Sequence, residues 1–387
     1  MATSTLHVIG PPGWVAGEFR RGLADLHGPA DDRRADHDAA TAGARIVTHD
    51  GLSPARGISD GDAVWSSPGT LISLNDWRRR SGLPPLRLAA PAADAIARLP
   101  YPLTRHPTLV VRAGDVLAGH AFPVFPSDLG ERPWSRVASG RVAGFRAARR
   151  DWDVLRRDLA HAHAPDDSLI ELAGNVEGLV EEWCVVIDPA GETAAACSGA
   201  CVHPTPGRMD VVTVFDGACF DPGRRQAALD VAEAAAGALD VAGRDGSSND
   251  RPHPSPPPMS LLLGFADGSP APAVLEIDPV WCTTPYPFGR EGMKAFVDAI
   301  GLCRMAPPPD TEEPRTGGHQ ADRDDAGGSY DERSHDDPFV WSPDPWMIRE
   351  FSRRYRGFPP FNAGSRTGHQ PGDQSDDPSG RRPPDTV

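Results

Sequence analysis

Glu276 and Asp278 stand two residues apart in the stretch Ala273-Val-Leu-Glu-Ile-Asp-Pro-Val-Trp281. Ala273 to Ile277 reads as a short, mostly apolar strand that breaks at Pro279. Residues i and i+2 of a strand project to one face, so both carboxylates point at one spot. Two like charges so placed repel unless a cation sits between them or one takes up a proton. The oxygen pair suits Mg²⁺, a hard cation that commonly takes one or two carboxylates together with phosphate oxygens of a substrate. The plainer alternative is a strand end whose carboxylates face water, and spacing alone does not separate the two.

Phosphate chemistry also needs cations on rigid elements. Nearly all the cations here are arginines, because Lys294 is the one lysine in the chain. Arg132, Arg136, Arg141, Arg146 and Arg149 crowd one region, and Pro133–Val142 alternates as a strand and turn with cations on one side. The competing reading is that these arginines only offset an acidic chain. Cys197 and Cys201 precede His203 and Cys219, but no CxxC pair accompanies them. A zinc site wants four well-placed ligands, so small buried cysteines are the expectation.

These side chains must be held by elements that the hydrophobic pattern reveals. Gly178–Ile187 is a strong strand, and Thr193–His203 is its hairpin partner after the turn at Asp188-Pro-Ala-Gly191. Met259–Phe265 is a nearly continuous apolar run, which predicts a strand buried on both faces. The turn Ala266–Pro270 then leads into the strand of Glu276 and Asp278. Pro222–Leu239 is an Ala-rich helix with Asp221 as its cap, and Gly289–Leu302 is a closing helix. Earlier, Trp14–Leu26 has helical spacing, Arg45–Thr48, Asp62–Trp65, Thr108–Arg112 and Phe122–Pro126 are β-like, and Asp166–Glu171 is a strand entry. A helix is expected to start at Asn75 or Asp76, another to span Ala90–Leu99, and Pro100–Pro107 to act as a linker. Pro11 and Pro12 rule out a phosphate loop near the start, which also lacks the Gly-Lys-Ser/Thr ending.

With 387 residues and a net charge of −15, the chain has room for one large core or two ordinary domains and does not suit a nucleic-acid backbone or an anionic membrane as its main partner. It has no run of about 18 apolar residues and no signal-peptide pattern, so the expectation is cytoplasmic. From Pro307 the composition turns to Pro, Gly, Asp, Ser and Arg, which predicts disorder on both sides of an aromatic segment at 338–355. Asp344 followed by Pro345 is a good helix start. That segment either docks on this chain's own surface or captures another protein.

In this order the elements from about Leu83 to Cys303 resemble the ATP-grasp domain proteins of bacteria. Leu99-Pro-Tyr-Pro-Leu-Thr-Arg105 is similar to the segment leading into that domain, and Trp134-Ser-Arg-Val137 to its small β segment with a cation. Val180-Glu-Glu-Trp-Cys-Val-Val186 resembles its Glu-Trp-Arg strand. Leu261–Gly268 with Leu275-Glu-Ile-Asp-Pro-Val-Trp281 resembles its paired metal-binding strands, which usually end in Glu-x-Asn. The chain departs from the pattern at Phe125 or Val124, where a Lys is usual, at Leu262, where an Asp is usual, and at Cys184, where Arg follows Glu-Trp.

The resemblance implies an α+β fold of two lobes whose antiparallel sheets enclose a nucleotide cleft. Residues 1–105 would form an N-terminal α/β region, 106–306 the ATP-grasp-like domain and 307–387 a mostly disordered tail. ATP and Mg²⁺ are the implied cofactors. Glu276 and Asp278 would hold the metal, Arg136 and Arg141 would meet phosphate, and Glu182 would support the nucleotide side. Arg136 and Glu276 would be the catalytic pair. The implied reaction is ATP- and Mg-dependent ligation of a small-molecule carboxylate to an amine through an acyl-phosphate. The alternative is a degenerate, non-catalytic homologue that binds nucleotide or protein.

Overall fold

The computed structural model describes residues 5–10, 13–24, 45–120, 127–188, 192–201, 222–244, 256–286, 288–305 and 339–359. Phe122–Pro126, Asp221, His203 and Cys219 lie outside them, as does all of 307–338.

The apolar run at the start forms β1 (Thr5–Ile9), flanked by β2 (Arg45–His49) and β3 (Ala63–Ser66) in a parallel sheet of order β2-β1-β3. Parallel strands need crossovers, and helix α1 (Gly13–Ala24) lies between β1 and β2 in the chain. Its residues Val15, Phe19 and Leu23 enter one core cluster with Leu6, Val8, Trp65 and the later helix α7 (Gly289–Leu302). A second helix, α2 (Pro68–Arg80), follows β3. It does not start at Asn75. Ser67 caps it, accepting from the Thr70 amide at 3.3 Å, and Pro68 takes the first turn, where a missing N–H does no harm. Asn75 is buried inside the helix, where its amide brackets Leu86, accepting from the Leu86 N–H at 2.7 Å and donating to the Leu86 carbonyl at 3.0 Å. The expected helix over Ala90–Leu99 shrinks to a 3₁₀ turn at Ala95–Arg98, because Pro91 forces the residue before it out of the α region. Pro100–Pro107 is not an open linker: it holds the short helix α3 (Tyr101–Thr104), which contacts the strand of Glu276.

Two antiparallel sheets follow. One has the order β4-β7-β5-β6, from β4 (Thr108–Arg112), β5 (Trp134–Val137), β6 (Ala148–Arg149) and β7 (Leu169–Ala173). Helices α4 (Ala113–Ala118) and α5 (Trp152–His161) pack on it through Val116, Leu155 and Leu159. The other has the order β11-β10-β8-β9, from β8 (Leu179–Ile187), β9 (Thr193–Cys201), β10 (Met259–Ala266) and β11 (Ala273–Pro279). Helix α6 (Pro222–Arg244) covers one face of this sheet, where Ala228, Ala232 and Ala235 meet Trp183, Val185, Leu261 and Leu263. The expected β10 and β11 are therefore present at nearly the expected bounds.

The aromatic segment past the tail's low-complexity stretch docks on this chain. Its helix α8 (Pro345–Phe351) is capped by Asp344, which also accepts from Ser168 Oγ at 2.7 Å and from the Leu169 amide at 2.9 Å. Trp341 packs edge-on against Trp281 with ring centroids 5.0 Å apart, and Trp346, Met347 and Tyr355 are buried. The two Trp side chains that sequence alone offers to a partner's groove are thus taken up internally. Among the described residues no helix is long and apolar enough to cross a membrane.

Candidate functional site

Strand β11 carries the two carboxylates, and a bulge decides which way they point. The pairing of β10 with β11 shifts between Leu262 and Leu263, so Leu263 opposes Val274 while Leu262 opposes Glu276. Leu275 is the extra residue. Counting by twos from Val274 would send Glu276 to the face under α6; the bulge moves it to the opposite face. Gly264 makes room for this kink, since a Cβ there would lie 2.6 Å from Leu275 and 2.4 Å from Leu179. Cross-strand neighbours then share the site's face. Cys184, Leu262 and Glu276 form one row, Val186, Ser260 and Asp278 the next, and Glu182 opposes Gly264 one step further along. Glu276, Asp278 and Glu182 therefore lie on one side of one sheet, as the spacing of the first two predicts.

Facing them is Arg136 of β5, from the other antiparallel sheet. Glu171 of β7 is its direct cross-strand partner and takes a bidentate grip, with Nε–Oε1 at 2.9 Å and Nη2–Oε2 at 3.1 Å. The remaining fork nitrogen, Nη1, donates to Glu276 Oε1 at 2.5 Å. One guanidinium thus joins the two sheets. Glu171 is the residue that sequence reasoning missed. Its signal was a carboxylate inside the apolar strand Leu169-Ile-Glu-Leu-Ala173, which must be paired once buried.

The cluster holds more negative than positive charge. Burial, and then the neighbouring Glu276 carboxylate, push the Asp278 carboxyl up to about 7. Burial and Glu276 also raise Glu182, and burial raises Glu171 against the opposing pull of Arg136. The Tyr286 hydroxyl and the Cys282 thiol, both next to this face, are pushed up chiefly by burial and further by the carboxylates. Arg141 is exposed on the turn after β5, and its charge reaches Asp278 and Cys282.

The other expected cations stay outside. Arg132, Arg146 and Arg149 are exposed, and Arg149 donates to Asn175. Glu181, the neighbour of Glu182, points to the opposite face, where it pairs with Arg224 and accepts from Trp183 Nε1 at 2.9 Å. A separate hollow of about 750 Å³ lies between β9, α6 and α7, lined by Thr193, Arg225, Phe288 and Glu291 among others, away from the carboxylate pair.

The donor set fits Mg²⁺ better than a closed protein cage. Among the described residues no group of three or more His, Cys, Asp or Glu side chains has the geometry to hold a metal. Two carboxylates are what Mg²⁺ commonly takes when phosphate oxygens and water supply the rest. Burial and then the neighbouring Glu276 charge raise the Asp278 carboxyl, and a divalent cation would offset that charge.

No family model matches the chain, and no curated protein matches it. Solved structures do. The chain is similar to D-cycloserine synthetase DcsG at 17% identity and a TM-score of 0.45, over 77% of this chain and 99% of that one. It is similar to the RimK domain protein ATP-grasp from Sphaerobacter thermophilus DSM 20745 at 10% identity and a TM-score of 0.40, over 78% and 100%. It is also similar to D-alanine–D-alanine ligase from Bacillus anthracis complexed with ATP at 12% identity and a TM-score of 0.38, over 77% and 96%. In fold the chain is an α+β protein with a parallel N-terminal sheet ahead of two antiparallel ones.

Proposed function

We propose that the face shared by Glu276 and Asp278 binds Mg²⁺ and ATP, and that the protein is an ATP-dependent ligase joining a carboxylate to an amine through an acyl-phosphate. One observation carries this reading: a bulged strand turns Glu276 and Asp278 to one face, opposite a guanidinium from a second sheet. A bare structural ion pair needs one carboxylate per arginine. Here Arg136 is shared by Glu171 and Glu276, so the carboxylates outnumber the guanidinium even before Asp278 is counted.

Mg²⁺, when bound, supplies charge stabilisation for a transferring phosphoryl group. Glu276 and Asp278 would hold it. Arg136, fixed by Glu171, presents a rigid positive charge at the junction of the two sheets, where charge on phosphate oxygens would develop. Arg141, free of the Glu171–Glu276 pairing, is the second phosphate-facing cation. Glu182 lines the same face nearer the start of β8 and supports the nucleotide side. Isothermal titration of ATP with and without Mg²⁺ tests the reading. Binding that needs the metal and is lost in Glu276→Ala supports it; absence of binding removes it.

A second reading has its own observation. Leu262 is set between Cys184 and Glu276 in the central row of the site's face, so an apolar side chain occupies the middle of a polar cluster. A protein that binds the nucleotide without turnover would tolerate that. ATP binding with no phosphate release, across a panel of amino acids and amines, separates this reading from the ligase.

A further inference from the structure

The turn after β5 carries Arg141, and its fold depends on α8, which lies about two hundred residues later in the chain. Val142 and Phe145 are the turn's buried anchors, joined by an isolated bridge. Phe145 packs against the Trp346 ring at 5.5 Å between centroids. Met347 fills the space that a side chain at position 140 would need, its Sδ lying 2.7 Å from where a Cβ on Gly140 would stand. Both carboxylate oxygens of Glu350 accept from the Ala143 amide, at 3.0 and 3.1 Å. These contacts bracket Arg141 on both sides in sequence.

The other end of the same segment is fastened to the N-terminal unit. Ser73 Oγ of α2 donates to the Phe351 carbonyl at 2.8 Å, and Arg354 donates to Thr70 Oγ1 at 3.2 Å. Tyr355 Oη donates to the Gly51 carbonyl at 2.8 Å, and the Phe351 ring sits against Gly69. A helix that only covered apolar surface would not need a carboxylate aimed at one exposed amide of a cationic turn.

We propose that α8 is a positioning element of the site: Glu350, with Trp346 and Met347, fixes the turn 138–145 that follows the strand of Arg136 and carries the exposed Arg141, and ties that turn to the N-terminal sheet. The proposal rests on the nucleotide reading above, because Arg141 is useful in this place only if a phosphate arrives there. Glu350 is a positioning residue; it acts through the Ala143 amide and does not touch the carboxylates.

Amide hydrogen exchange and ATP titration on the full chain test it together, with Glu350→Ala and Glu350→Gln. In Glu350→Ala, exchange at Ala143 should rise about tenfold or more, confined to 138–145, while the melting temperature stays close to that of the parent. The Kd for ATP in Mg²⁺ should rise about fivefold, and Glu350→Gln, whose amide oxygen still accepts, should fall between. Faster exchange at Ala143 with an unchanged Kd overturns the proposal while leaving the nucleotide reading in place. Unchanged exchange at Ala143 overturns it too. A parent chain that does not bind ATP overturns the nucleotide reading, and this proposal with it.

Discussion

At the scale of single residues, Asp278 and Glu171 are both buried carboxyls, and they differ in what pairs with them. Asp278 keeps its proton up to about 7 in the folded chain, against an ordinary value of 3.8. Between those values the folded state binds more protons than the unfolded one, so this carboxyl lowers stability as pH rises through that window. Without metal, Asp278→Asn should therefore stabilise the protein above pH 7, by on the order of 1 kcal/mol or more. It should leave stability nearly unchanged below pH 4. Thermal melts of both proteins across pH 4–8 check this; a parent and variant that track each other throughout would contradict it. Burial raises Glu171 as well, but Glu171 has a bidentate partner in Arg136 that Asp278 lacks. It neutralises a guanidinium that is only 23% exposed, so Glu171→Gln should destabilise by about 1–2 kcal/mol, measured by urea unfolding. Equal stability would mean that Glu276 alone satisfies Arg136.

At the scale of elements, the strongest periodic runs were legible and the irregular joints were not. Met259–Ala266 shows in sequence as an unbroken apolar run, because both its faces are covered. The Glu276–Asp278 pair shows as well, since i and i+2 lie beyond the bulge and keep their common face. Which face that is could not be read, because it depends on the extra residue Leu275 and on Gly264 opposite. Asn75 and Asp76 look like caps in isolation and suggest too late a start for α2, whereas Ser67-Pro68 is the pair that begins it. Ser67→Ala should thus cost about 1 kcal/mol, and Asp76→Ala much less. Gly69 tests how α2 meets the docked segment. Alanine ordinarily gains about 1 kcal/mol over glycine in a helix. A Cβ at Gly69, however, would sit 2.8 Å from three ring atoms of Phe351. Gly69→Ala should lower the melting temperature, and a rise would show that Phe351 is not held there.

At the scale of the whole molecule, three sheets are tied by contacts far apart in the chain. Arg136 links the two antiparallel sheets, Trp281 Nε1 donates to the Ala89 carbonyl at 2.9 Å, and Trp65 Nε1 donates to the Thr283 carbonyl at 2.7 Å. The segment 339–359 adds a further tie, burying Trp346, Met347 and Tyr355 against the rest. Composition marks that segment as different from the low-complexity sequence around it, but composition could not say what it covers, since that surface is assembled from three distant parts of the chain. A chain ending at residue 338 should lose stability and gain protease sensitivity between α2 and the turn after β5, read by limited proteolysis. A truncated chain as resistant as the parent would mean that the docked segment is ornamental. Most directly, Glu276 and Asp278 must recruit a metal-bound nucleotide. Titration of ATP into the full chain should give binding that requires Mg²⁺ and disappears in the double variant Glu276→Ala, Asp278→Ala. Binding that ignores both the metal and the double variant would contradict it.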